Sequence, residues 1–170
     1  AFAEVMSRLT REKDNLYLTI TNGRSADMAL QACVGMFVKT LPVVRPATTE
    51  GTTTADFAKA MHEQLQQSYE QDFYPYTRLV ERHKHHAEVM FVYQGGLSEG
   101  NLTDGIEEVP LALDTAKMPL DVSVYPDGDG YMLLIEYDGT RYNKVDVDRL
   151  AHAFVNTAQC YITTEGNVKL

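Results

Sequence analysis

Tryptophan is absent from this 170-residue chain, and cysteine occurs only as Cys33 and Cys160. Two cysteines cannot build a disulfide scaffold, so a fold of this length must rest on a packed apolar core. Long apolar runs are missing too. The densest, residues 89–93, is far short of the roughly 20 residues a membrane-crossing helix needs, which excludes a helical span. Basic side chains are outnumbered 15 to 24 by acidic ones, leaving a formal charge of −9 and a surface that repels phosphate backbones. The nearest basic stripe, Arg78, Arg82 and Lys84, is interrupted by Glu81. Neither nucleic acid nor membrane is therefore an expected partner. No glycine-rich phosphate loop, nucleophile elbow or paired-cysteine motif occurs either.

What is present is a chain 44% hydrophobic, enough for the core of one domain or of one lobe of a larger protein. The two cysteines sit in apolar sequence and read as reduced core thiols of a cytoplasmic protein. Phe2, Val5, Met6 and Leu9 recur at helical spacing, predicting a helix to about Arg11. The first residues, Ala1-Phe2-Ala3-Glu4, carry no basic-then-apolar pattern. Opening inside an element, the sequence is expected to be a piece of something longer. Leu16, Leu18 and Ile20 alternate with Tyr17, Thr19 and Thr21 as in a strand, which Asn22-Gly23 ends. Residues 34–44 predict a second strand. Thr53 and Asp56 form a capping box ahead of Phe57, Met61, Leu65 and Tyr69, one face of a helix. Pro75 is placed to open another helix, and residues 87–94 read as a strand. Residues 97–116 read as a long loop of the kind that reaches to a neighbour. A hairpin follows, turning over residues 126–130, and a last helix starts after Asp146 or Asp148. Interleaved helices and strands with one hairpin predict an α/β fold: a mixed, largely antiparallel sheet covered by helices.

Histidine offers the one cluster with metal-ligand chemistry: His83, His85 and His86. Neighbours on a strand point to opposite faces, so His85 and His86 would not converge on one ion, and a solvated junction is the expected state. His62 and His152 fall beside core positions of their helices and are expected at the surface. No catalytic residue and no metal ligand is assigned from these patterns.

Several blocks, taken in order, resemble the C-terminal lobe of a condensation domain from a nonribosomal peptide synthetase. Thr21-Asn22-Gly23-Arg24 is similar to that lobe's strand ending in Gly-Arg, and Val34-Gly35-Met36-Phe37-Val38-Lys39-Thr40-Leu41-Pro42 to its Gly-x-Phe-Val-Asn-Thr-Leu-Pro block, with Lys39 in place of asparagine. Glu70-Gln71-Asp72-Phe73-Tyr74-Pro75-Tyr76 resembles His-Gln-Asp-x-Pro-Phe with Tyr74 inserted. Glu88-Val89-Met90-Phe91-Val92-Tyr93-Gln94 and Ala116-Lys117-Met118-Pro119-Leu120 resemble the strand and the Ala-Lys-Phe-Asp-Leu block that follow. An Arg-Asp-x-Ser-Arg-Asn-Pro block is replaced by Arg82-His83-Lys84-His85-His86.

The resemblance implies one lobe, residues 1–170, of a chloramphenicol acetyltransferase-like fold, in which two lobes enclose a tunnel. Carrier proteins would deliver thioesters there on phosphopantetheine arms, the only cofactor implied, and an adenylation domain would adjoin. The family's catalytic His-His-x-x-x-Asp-Gly belongs to the other, N-terminal lobe. Here His85-His86 is followed by Met90 and Phe91 where Asp and Gly are required, so this half is expected to be non-catalytic. By the same resemblance Gly35, Phe37, Lys39 and Thr40 are assigned to the tunnel wall, and Arg24 and Asp72 to interlobe or structural contacts. Arg24 would pair with the catalytic motif's aspartate, and without that lobe it is expected to sit exposed. Two readings from other classes stand beside this one: a stand-alone vestigial protein-binding module, and a metal-binding protein using His83, His85 and His86.

Overall fold

The computed structural model describes residues 1–13, 15–24, 27–84, 86–95, 115–164 and 168–169. Helix α1 spans Phe2–Thr10 and stops where Arg11 turns left-handed at φ 61°. Strand β1 follows at Leu16–Thr21, and β2 at Lys39–Val44 lies antiparallel to it with Thr21 opposite Lys39. Helix α2, Thr54–Glu70, carries the expected capping box: Thr53 accepts from the Asp56 amide while the Asp56 carboxylate accepts from Thr53. Helix α3 covers Tyr76–His83, with Pro75 just ahead of it where no amide is missed. Strand β3 is Val89–Tyr93, β4 is Leu120–Asp127, β5 is Gly130–Tyr137, and helix α4 runs Lys144–Thr163.

The five strands form one mixed sheet in the order β2-β1-β3-β4-β5. The two longer ladders, β1 with β2 and β4 with β5, are antiparallel, whereas β1 with β3 and β3 with β4 are parallel. Tyr17, Val43, Leu120 and Val122 point to one face and are buried there with Phe2 and Val5 of α1, Phe57 of α2 and Leu150 of α4. Fully burying each such side chain contributes roughly 1.5–3 kcal/mol. Phe2 stacks on Phe91 at 4.5 Å between centroids, and Phe154 meets Phe91 edge-on at 5.8 Å, so an aromatic cluster ties α1 and α4 to β3. A buried ion pair anchors α1 to the end of β2: Arg45 Nη2 lies 2.8 Å from Glu4 Oε2, with both side chains about 5% exposed. Among the described residues no helix is long and apolar enough to cross a membrane.

Several expectations are corrected. The second strand begins at Lys39 rather than residue 34, because β1 ends at Thr21 and leaves residues 34–38 without a ladder partner. A 3-10 helix at Met28–Ala32, capped by Asp27, was not foreseen. Because this stretch peels away from the sheet, Cys33 is exposed rather than buried in the core, and Cys160 is only half-buried. Pro126 lies inside β4, opposite Tyr131, past the point where β3 ends, so only one neighbouring strand has to do without its amide. The last helix is capped by Asn143, whose side chain accepts from the Asp146 amide at 2.9 Å. The predicted loop falls on residues 97–116, of which 97–114 lie outside the described residues.

Candidate functional site

Strand direction decides where the motif residues gather. Strands β1, β3 and β4 are mutually parallel, so β1 and β3 end, at Thr21 and Tyr93, on the same side of the sheet, with Val124 of β4 opposite Tyr93. Antiparallel β2 therefore begins there, at Lys39, and α2 returns there to deliver Asp72 just beyond its last turn. Two cavities open at this end. One of about 490 Å³ is lined by Thr21, Asn22, Val38, Tyr69, Tyr93 and Gln94, among others. Another of about 370 Å³ lies toward the helices over Phe2, Phe91 and Phe154, and shares Ile20, Tyr69 and Tyr93 with the first. Together they make a groove with aromatic walls.

Beside it the sequence-assigned residues converge. Arg24 Nη1 donates to the carbonyls of Leu30 and Cys33, the latter at 2.7 Å, and Nη2 donates to Gly35 O at 3.0 Å. Its guanidinium carbon lies 4.4 Å from the Phe37 ring centroid. Arg24 is thus half-buried, with three of its five N–H groups bonded within this chain, and the expected exposed side chain is corrected. Lys39 Nζ meets Asp72 Oδ1 at 2.8 Å, joining the start of β2 to the turn between α2 and α3. Thr40 sits one step along β2, opposite Ile20 of the groove wall. Gly35, Phe37, Lys39 and Thr40 line neither cavity, whereas their neighbour Val38 lines the larger one.

Sequence reading did not name Val38 or Tyr93 as groove residues, and it placed Tyr69 only on one face of its helix, whereas its side chain forms part of both cavities. The antiparallel β1–β2 ladder, the return of α2 and the parallel β1–β3 pairing bring Val38, Tyr69 and Tyr93 respectively to this end of the sheet. Gly23, read as a turn residue after β1, is also a point of close contact. It is buried at φ +65°, and a Cβ there would stand 1.9 Å from the Phe37 carbonyl oxygen.

Among the described residues that line the two cavities there is no histidine and no carboxylate. The Tyr17 phenol at the groove floor is pushed above its ordinary value, chiefly by burial. His83 and His86 are both exposed, and His85 lies outside the described residues. Among the described residues no three His, Cys, Asp or Glu side chains gather as a metal site. His62 is exposed, as is His152, whose Nδ1 is 2.7 Å from the Asp148 carbonyl. Among the described residues the groove is an apolar slot with polar groups at Thr21, Asn22 and Gln94.

The chain belongs to the condensation-domain family, whose profile matches residues 1–166. It is 26% identical over 165 residues to bacitracin synthase 1 of Bacillus licheniformis, a match covering 91% of this chain and 3% of that protein. Its fold is similar to the condensation domain from the monacolin K polyketide synthase MokA, with TM-score 0.75, 14% identity, and 97% of this chain against 40% of that one. It is also similar to holo-AB3403, a four-domain nonribosomal peptide synthetase bound to AMP and glycine, with TM-score 0.71, 16% identity, and 86% of this chain against 13% of that one. The chain thus spans a small part of the relatives it matches, and about two fifths of the MokA domain.

Proposed function

We propose that this chain is the C-terminal, non-catalytic lobe of a nonribosomal peptide synthetase condensation domain. The observation that carries the reading is the family match over residues 1–166 in a chain that spans 40% of a solved condensation domain and contains no His-His-x-x-x-Asp-Gly. In the complete domain a histidine of the N-terminal lobe would orient or deprotonate the acceptor amine as it attacks the donor thioester. This lobe would supply one wall of the tunnel, interlobe contacts at Arg24, and docking surface for peptidyl carrier proteins, with an adenylation domain adjoining in a cytoplasmic assembly. The groove at the ends of β1 and β3 suits a flexible arm such as phosphopantetheine: it is partly aromatic and bears polar groups at Thr21, Asn22 and Gln94.

The reading is tested by titrating the protein with holo and apo forms of a peptidyl carrier protein and following its NMR resonances. Shifts at Val38, Tyr69 and Gln94 with the holo form only are expected. Identical spectra with both forms would remove the groove from the function.

A further inference from the structure

Residues 28–38 are not held by apolar burial: Met28, Val34 and Met36 are 86%, 104% and 89% exposed. They are not held by a ladder either, since β2 starts only at Lys39. What fixes them is Arg24. One planar cation collects three carbonyls from six consecutive residues, Leu30, Cys33 and Gly35, and lies against the Phe37 ring. On the other side, the missing Cβ of Gly23 admits the Phe37 carbonyl. The stretch is therefore gripped from two sides immediately before Val38, which forms part of the groove wall.

We infer that Arg24 is a positioning residue for the groove. It holds residues 30–37 by their carbonyls and so sets where Val38 stands. Three of its five N–H groups are occupied in this way, both on Nη1 and one on Nη2. Lysine cannot take this role, because a compact ammonium has no plane to lay on Phe37 and no fixed fork to span three carbonyls. The inference stands on contacts within this chain and does not depend on what the groove binds.

The experiment measures backbone ¹⁵N order parameters and the Val38 methyl shifts in the protein and in its R24K, R24A and G23A variants. In the parent, residues 30–38 should be as rigid as β5, near 0.85. In all three variants they should fall below about 0.6 with displaced Val38 methyls, while residues 130–137 keep their values. Should R24A fail to fold, R24K decides. A stretch already mobile in the parent, an R24K protein as rigid as the parent, or an equal loosening of residues 130–137 would each overturn the inference.

Discussion

Replacing Lys39 with methionine keeps its length and apolar stem but removes the charge that faces Asp72. The geometry makes the cost one-sided. The Asp72 side chain is 8% exposed and that of Lys39 34%, with Nζ and Oδ1 2.8 Å apart. Removing one partner of a fully buried pair costs about 3–5 kcal/mol, because the other charge stays out of water. Lys39 is a third exposed and solvent screens that site, so about 2 kcal/mol is the appropriate expectation for K39M. The reverse change, D72N, leaves a long lysine free to swing into water and should cost about 1 kcal/mol or less. The double variant should be less damaging than the sum of the two, by a coupling energy of about 1 kcal/mol. Urea unfolding of the four proteins measures all three quantities, provided their m-values agree. Equal losses for K39M and D72N, or additivity within about 0.3 kcal/mol, would refute the reasoning that Asp72 is the deeply held charge and Lys39 its compensation.

The Glu4–Arg45 pair predicts an acid response. Burial alone would raise the Glu4 carboxyl, but hydrogen bonds and charge from Arg45 and Arg8 outweigh it and hold the group below its ordinary value. The stability this contributes is present above the unfolded-state value of about 4.3 and is lost as pH falls through the lower native one. R45M should cost about 3 kcal/mol at pH 7 and flatten the loss of stability between pH 5 and 3, whereas an unchanged acid slope would contradict it. Asp121 has the opposite sign: burial raises its carboxyl, Glu136 directly across the β4–β5 ladder adds to this, and a bond from Ser123 offsets only part. D121N should therefore stabilise the protein at pH 7 by about 0.5 kcal/mol, with the advantage vanishing on acidification, as thermal melts at pH 7 and 3.5 would show. Among the described residues the Tyr161 hydroxyl is buried without a hydrogen-bond partner, and its phenol is pushed up to about 12, chiefly by burial and next by Glu4. Y161F should be neutral or stabilising by up to about 1 kcal/mol, and a clear loss in urea midpoint would show that the hydroxyl has a partner.

Elements whose signals are local were legible in the sequence. The Thr53–Asp56 box, the four-residue spacing of Phe57, Met61 and Leu65, and the Gly23 stop all act within a few residues, and each marks what it predicts. Residues 34–38 were misread because β-branched and apolar side chains signal a strand only where a partner is available, and β1 runs out at Thr21. The mixed sheet was foreseen, but strand order and direction are long-range facts, and with the return of α2 they bring Val38, Tyr69 and Tyr93 to one groove. Motif order assigned Gly35, Phe37, Lys39 and Thr40 to a tunnel wall and Arg24 and Asp72 to interlobe or structural contacts; the structure joins Arg24 to Gly35 and Phe37, and Lys39 to Asp72. Motif order could not reveal that Arg24 spends its donors on its own backbone, because carbonyl oxygens leave no mark on residue type.

Amide formation between a donor acyl thioester and an acceptor aminoacyl thioester, each on its carrier protein and followed by intact-protein mass spectrometry, tests the assignment most directly. With this chain as sole catalyst, product should stay at the uncatalysed background, and it should appear when a protein that also contains the His-His-x-x-x-Asp-Gly lobe is used. Product formed at catalytic rates by this chain alone would contradict its assignment as the half without the proton-handling histidine.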